Sequence, residues 1–152
     1  MTHFVHHSPV GDGVELRAID AIHTVKIGGK QTGGDYELFE IDAPRGHAIP
    51  LHTHAWPEAY YLLYGTLNVQ VGEGFYELTP GAALNVPPYA EHTFTIATPS
   101  AKFLVFTLTD AMGRFFADLD ESIPVDAPMA EVFPLAAAAA ARHGVSFVQP
   151  PR

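Results

Sequence analysis

The chain has 152 residues, no cysteine and a formal net charge of −9, with eight Lys and Arg against seventeen Asp and Glu. That composition excludes disulfide support and thiol catalysis, and it argues against a nucleic-acid partner, which needs a basic face. A 47% hydrophobic content fits one unit with a sizeable core. In chain order, strand-like runs are predicted at Val14–Ile19, Ile22–Ile27 and Tyr36–Ile41, then Ile49–His54, Glu58–Tyr64, Leu67–Val71, Phe75–Leu78, Ala83–Val86, His92–Ala97 and Phe103–Thr109. Gly28–Gly34 and Gly72–Gly74 read as loops. Asp110 is placed to cap a short helix through Leu119, and the alanine run Ala136–Ala141 reads as a packing helix ending near Gly144.

Many short strands with thirteen Gly and thirteen Pro between them suit an antiparallel sandwich or barrel, whose closure removes exposed edges. No internal repeat is visible, so residues 1–152 are read as a single domain. Its parts are N-terminal strands 14–41, a barrel core 46–109 and a helical C-terminal segment 110–152. No segment is long and apolar enough to span a bilayer, and Met1 to His7 lacks a basic region followed by an apolar core. A cytoplasmic protein with no membrane partner is therefore expected. The apolar N-terminal strands would leave a sheet face or edge exposed, which points to a homodimer.

Two distant stretches carry the chemistry. The first reads Gly46-x5-His52-x-His54-x3-Glu58-x6-Gly65, the second Gly81-x5-Pro87-Pro88-Tyr89-x2-His92. Side chains two apart on a strand share a face, so His52 and His54 can grip one ion. Glu58 and His92 open neighbouring strands and can return to the same interior. Imidazole and carboxylate suit one first-row divalent ion: iron, nickel, manganese, cobalt or zinc. The predicted ligands are His52, His54, Glu58 and His92. The other six of the nine histidines, His3, His6, His7, His23, His47 and His143, are read as structural or surface residues.

These two stretches resemble the paired motifs of the cupin superfamily, Gly-x5-His-x-His-x3,4-Glu-x6-Gly and Gly-x5-Pro-x-Gly-x2-His-x3-Asn. The first matches at every specified position. The second matches at Gly81, Pro87 and His92, and departs at Tyr89 and Ile96, neither of which removes a ligand. Gly28 to Tyr36 is similar to the Gly-x-Gln-Thr-Gly-Gly-x-Tyr segment of single-domain, quercetin-dioxygenase-like bacterial cupins. Phe103–Phe106, Gly113–Leu119 and Ala137–Val148 resemble that group's last barrel strand, the helix after it and a closing helix. The resemblance implies an all-β double-stranded β-helix, the jelly-roll barrel, with short C-terminal helices.

It also implies a metal-dependent dioxygenase acting on an enolisable or phenolic, flavonol- or diketone-like small molecule, with Glu58 accepting the substrate's proton. Two other classes stay open: a metal-dependent isomerase or lyase, in which the ion polarises a carbonyl, and a non-catalytic small-molecule-binding cupin. Few Lys, Arg, Asn and Gln lie near the strands, which weighs against a sugar. An apolar pocket is expected, with Tyr60, Tyr89, Phe94, Trp56, Phe106 and Phe115 as substrate contacts and Met112 at its border. Tyr60 and Tyr89 are preferred among these, because a phenol can hydrogen-bond a bound oxygen.

Overall fold

Alternation decides which face of each strand is buried. In a computed structural model describing residues 4–46 and 49–148, strand β3 (Glu37–Pro44) buries Glu37, Phe39, Ile41 and Ala43, and turns the residues between them outward. The same period of two runs through β1 (Val14–Ala18), β2 (Ala21–Ile27), β5 (Glu58–Tyr64), β8 (Ala83–Val86) and β10 (Ser100–Thr107). These strands form a six-stranded antiparallel sheet in the order β1-β2-β3-β10-β5-β8. A second, five-stranded sheet contains β4 (His52–Thr53), β6 (Leu67–Val71), β7 (Gly74–Leu78), β9 (His92–Ile96) and β11 (Ser146–Phe147), ordered β11-β4-β9-β6-β7.

One apolar cluster joins the two. Phe39, Ile41, Leu62, Phe103 and Val105 come from the larger sheet, and Leu67, Val69, Leu78, Phe94 and Ile96 from the smaller. Tyr60, Phe94 and Phe103 meet edge to face with centroids 5.5 to 6.1 Å apart, the arrangement ring quadrupoles favour. The fold is thus a two-sheet jelly roll in which, among the described residues, the sheets face each other without joining into one hydrogen-bonded barrel. At Gly65 (φ +84°) a Cβ would lie 2.4 Å from the Ser100 carbonyl oxygen, so the turn between β5 and β6 accepts only glycine.

Several boundaries differ from the sequence reading, each for a local reason. The loop at Gly28–Gly34 contains one helical turn, α1 (Gly29–Thr32), where the Gly28 N–H donates to Gln31 Oε1 at 2.7 Å. The strand expected over Ile49–His54 shrinks to His52–Thr53, since Pro50 has no N–H for a ladder. Helix α2 (Ala111–Ser122) is not capped by Asp110. Thr109 Oγ1 accepts the Ala111 N–H at 2.9 Å, while Asp110 pairs with Arg114 at 2.9 Å.

Inside α2, the Gly113 N–H donates to the buried Glu37 carboxylate at 3.0 Å. A Cβ on Gly113 would sit 2.2 Å from that carboxylate, which explains the glycine in a helix. Burial pushes the Glu37 carboxyl above its ordinary range, partly offset by the N–H groups of Gly113 and Gly29.

Helix α3 (Met129–Arg142) begins well before the alanine run, with the N–H groups of Glu131 and Val132 both donating to the Pro128 carbonyl. It is clamped to α2 where Asp118 accepts Arg142 through both carboxylate oxygens at 2.8 Å, and His143 at 2.8 Å. The alanine helix ends at Arg142, near Gly144 as expected, so the stretch to Val148 that resembles a closing helix is helical only in its first part. Gly144 (φ +70°) turns the chain, and Ser146–Phe147 adds β11 beside β4.

Candidate metal centre

Strand β4 is two residues long, and it carries the first half of the site. His52 lies opposite His92 in the β4–β9 ladder, and His54 follows two residues later on the same face. The rings are in contact, with centroids 4.2 Å apart for His52 and His92, 4.7 Å for His54 and His92, and 5.5 Å for His52 and His54. One ring nitrogen from each of the three lies within 4.8 Å of the others, so this cluster could hold a metal ion.

The opposite nitrogens are tied down. His52 Nδ1 donates to the Pro50 carbonyl at 2.9 Å, His54 Nδ1 to that of Trp56 at 2.8 Å, and His92 Nδ1 to that of Ala90 at 2.8 Å. A carbonyl only accepts, so in each ring Nδ1 carries a proton and Nε2 is left as the nitrogen that could face an ion. This is how outer contacts orient metal-binding imidazoles.

Glu58 approaches from the other sheet. Its Oε1 lies 3.0 Å from His92 Nε2, its Oε2 lies 3.8 Å from His54 Nε2, and the Tyr60 hydroxyl donates to it in a short hydrogen bond. All of these groups are buried, His92 completely. Burial, then the nearby charge of His92, lowers the His52 pKa to about 4, and burial also lowers that of His54. For Glu58 burial pulls upward, but the His92 hydrogen bond and the histidine charges outweigh it and leave the acid below its ordinary range. His92 moves the other way: burial pulls it down, and Glu58 holds it above its ordinary value. Without an ion, Glu58 and His92 therefore share charge as a buried pair. The Tyr60 phenol is pushed well up by burial and by Glu58, and so keeps its proton to donate.

This cluster forms the polar end of a cavity of about 380 Å³. The strands contribute Ile41, Tyr60, Phe94, Phe103 and Val105 to its wall, α2 contributes Met112, Phe115, Phe116 and Leu119, and α3 contributes Phe133, Ala136 and Ala137. Trp56 also lines it, stacked on His54 with rings 4.1 Å apart and 8° from parallel. Of the expected substrate contacts, Tyr60, Phe94, Trp56 and Phe115 therefore lie in the wall, and two do not.

Tyr89 is 71% exposed on the turn before β9, and Phe106 points out of the sheet against Tyr36, its ring 5.9 Å away. The physical reason at Phe106 is parity. It sits one residue from the inward Val105, so it must face out. The sequence reading has Phe116 and Leu119 facing the barrel, as they do, but it missed His23, Phe133 and Phe147 in the wall. The signal was present for the α3 residues, since positions 133, 136 and 137 fall on one helical face.

The site and fold together define a two-sheet jelly roll with a buried histidine cluster that could hold a metal ion. Residues 38–107, a little under half the chain, match the Cupin domain family. It is 25% identical over 112 residues to a quercetin 2,3-dioxygenase of Bacillus subtilis (strain 168), covering 73% of this chain but only 33% of that protein. The chain thus spans about a third of the length of this curated relative.

Three solved structures show the same fold. KdgF from Halomonas sp. superposes with a TM-score of 0.59 at 14% identity, over 69% of this chain and 94% of that one. An RmlC-like cupin from Shewanella frigidimarina NCIMB 400 gives 0.59 at 19% identity, over 72% and 95%. The polyketide cyclase RemF from Streptomyces resistomycificus gives 0.53 at 22% identity, over 70% and 79%. No helix among the described residues is long and apolar enough to cross a membrane.

Proposed function

We propose that this cupin is a metal-dependent dioxygenase for an enolisable or phenolic small molecule of the flavonol or diketone kind. The observation that carries the reading is the convergence of three imidazoles, each with its Nδ1 proton spent on a backbone carbonyl, beside a buried acid at the end of an apolar cavity. His52, His54 and His92 would hold the ion, with Glu58 as fourth ligand. The donor set accepts iron, nickel, manganese, cobalt or zinc. An ion bound there supplies a Lewis acid and, if redox-active, a centre for dioxygen chemistry. The distant quercetin 2,3-dioxygenase relative supports this class over the other chemistries the fold hosts.

The chain's own part is proton handling and exclusion of water. Glu58 is ionised and points into the polar end, so it accepts the proton of a ligand hydroxyl. The ligand's O–H bond breaks, a carboxyl O–H forms, and the electron pair stays on the ligand oxygen. Tyr60 steadies the carboxylate with its own hydrogen bond. The aromatic wall keeps bulk water away from the resulting anion.

Elemental analysis followed by an oxygen electrode tests the reading. Protein loaded with iron, nickel, cobalt or manganese should consume dioxygen with a flavonol, and chelator-treated protein should not. Glu58→Gln should cut turnover at saturating substrate by about a hundredfold or more, in the range general-base catalysis supplies. Full turnover and full metal occupancy in that variant would remove the proton-accepting role. A flavonol that saturates the loaded protein without oxygen uptake, across all four metals, would leave a binding protein instead.

A further inference from the structure

The cavity has a second end. His23 projects inward from β2, two residues beyond the buried Ala21, is 5% exposed, and packs against Phe116 of α2 with ring centroids 4.0 Å apart and planes tilted by 44°. Ala18, Ile19 and Leu119 complete this end, and all of them border the same cavity as His52, His54 and Glu58. Apart from the residues of the metal end and its stacked Trp56, every other side chain in the wall is apolar. A buried imidazole in such a wall is a group with hydrogen-bonding capacity set inside a surface that otherwise recognises only shape.

Register fixes how far apart the two ends are. His23 pairs with Ile41, and Ile41 with Phe103, whereas Glu58 pairs with Thr107 of the same strand β10. Three strand spacings and four residues separate them, about 14 Å across the sheet and about 13 Å along it, or roughly 20 Å between backbones before the sheet's coiling shortens the path. After both side chains reach inward, the gap suits a flat body of two or three rings. A small diketone could occupy the metal end but would not reach His23.

We infer that His23, backed by Phe116, is a second polar subsite. It hydrogen-bonds an oxygen on the far ring of an elongated aromatic ligand whose other end lies at the histidine cluster. The inference rests on the dioxygenase reading for the chemistry at that other end, but makes a separate claim about recognition. It selects multi-ring ligands with polar atoms at both ends over compact enols.

Trp56 is the chain's one tryptophan and lines the cavity, so its fluorescence reports occupancy. Binding of 3-hydroxyflavone, which lacks far-ring hydroxyls, and of its 3′,4′-dihydroxy analogue should be titrated against wild type, His23→Phe and His23→Gln, all metal-loaded. His23→Phe should weaken the dihydroxy compound about fivefold to tenfold, the worth of one hydrogen bond, and leave 3-hydroxyflavone within about twofold. His23→Gln, which restores a donor and an acceptor, should recover most of the preference.

Thermal melts of the three proteins separate a folding defect from a binding one. Equal loss for both ligands in His23→Phe, or no loss for either, overturns the subsite while leaving the dioxygenase reading intact. Failure of both flavonols to bind wild type overturns the subsite, and failure of a 1,3-diketone to bind as well overturns the dioxygenase reading.

Discussion

A left-handed tyrosine precedes the most deeply buried imidazole of the site. Tyr89 has φ +62° in the turn closed by the Ala90 N–H and the Pro87 carbonyl, and its own N–H donates to the His54 carbonyl at 2.8 Å. That third turn position favours glycine, and an L-residue held there costs about 1–2 kcal/mol. Because its side chain is mostly exposed, Tyr89→Gly removes the steric cost and little packing. Glycine's greater freedom in the unfolded chain cancels part of that gain, leaving a net stabilisation of about 0.5–1 kcal/mol. It should appear as a higher urea midpoint with unchanged slope; a lower midpoint would mean that the ring makes contacts worth more than the strain.

At this scale the sequence is most legible where spacing itself encodes chemistry. His52 and His54 could be picked out because a two-residue offset on a strand puts side chains on one face, and Glu58 and His92 because each opens a neighbouring strand within the paired motif stretches. His23 carried no such mark. Its ring lies against Phe116 of a distant helix and borders the cavity, and neither relation leaves a local pattern. Tyr89 and Phe106 were chosen for what a phenol or a ring can do, without asking which way the backbone turns them.

Among the elements, β4 and the residue just after it carry two of the three imidazoles on the shortest of supports. It has His92 of β9 on one side and β11 on the other, with the Val148 N–H donating to the Leu51 carbonyl at 2.8 Å just beyond the ladder. Val148→Pro deletes that donor and should let the outer edge of β4 fray. The imidazoles would then be less well oriented, as when groups behind metal ligands are lost, and metal affinity should fall about tenfold or more. Competition with a chromophoric chelator would measure it; unchanged affinity would show that β9 alone holds β4 in place.

The strands themselves were legible from alternation, within a residue or two for β2, β5, β6, β8 and β9. What escaped was the C-terminal segment. Pro134 inside α3 disguised the first turns of the helix, and a two-residue strand after Gly144 is too short to carry a period. Yet that segment provides both the outer neighbour of β4 and the cavity's third wall, through Phe133, Ala136, Ala137 and Phe147. The alanine run read as packing turns out to leave space along one face, since two of its small side chains border the cavity.

For the whole molecule, the decisive fact is that the candidate ligands come from both sheets: the imidazoles belong to the smaller one and Glu58 to the larger. An ion at that point favours the folded chain by its binding free energy, about 2.7 kcal/mol when free metal is a hundredfold above its Kd. For a chain of this length that is a rise of about 5–10 °C in melting temperature, reversed by chelator. His92→Ala should abolish the rise, and a persistent rise in that variant would place the ion elsewhere. Parted, one layer offers an ion its three nitrogen donors without the acid, and the other the acid without the nitrogens. Occupancy consequently behaves as a latch, holding back the parting of the two layers while leaving the pace of their first encounter as it was.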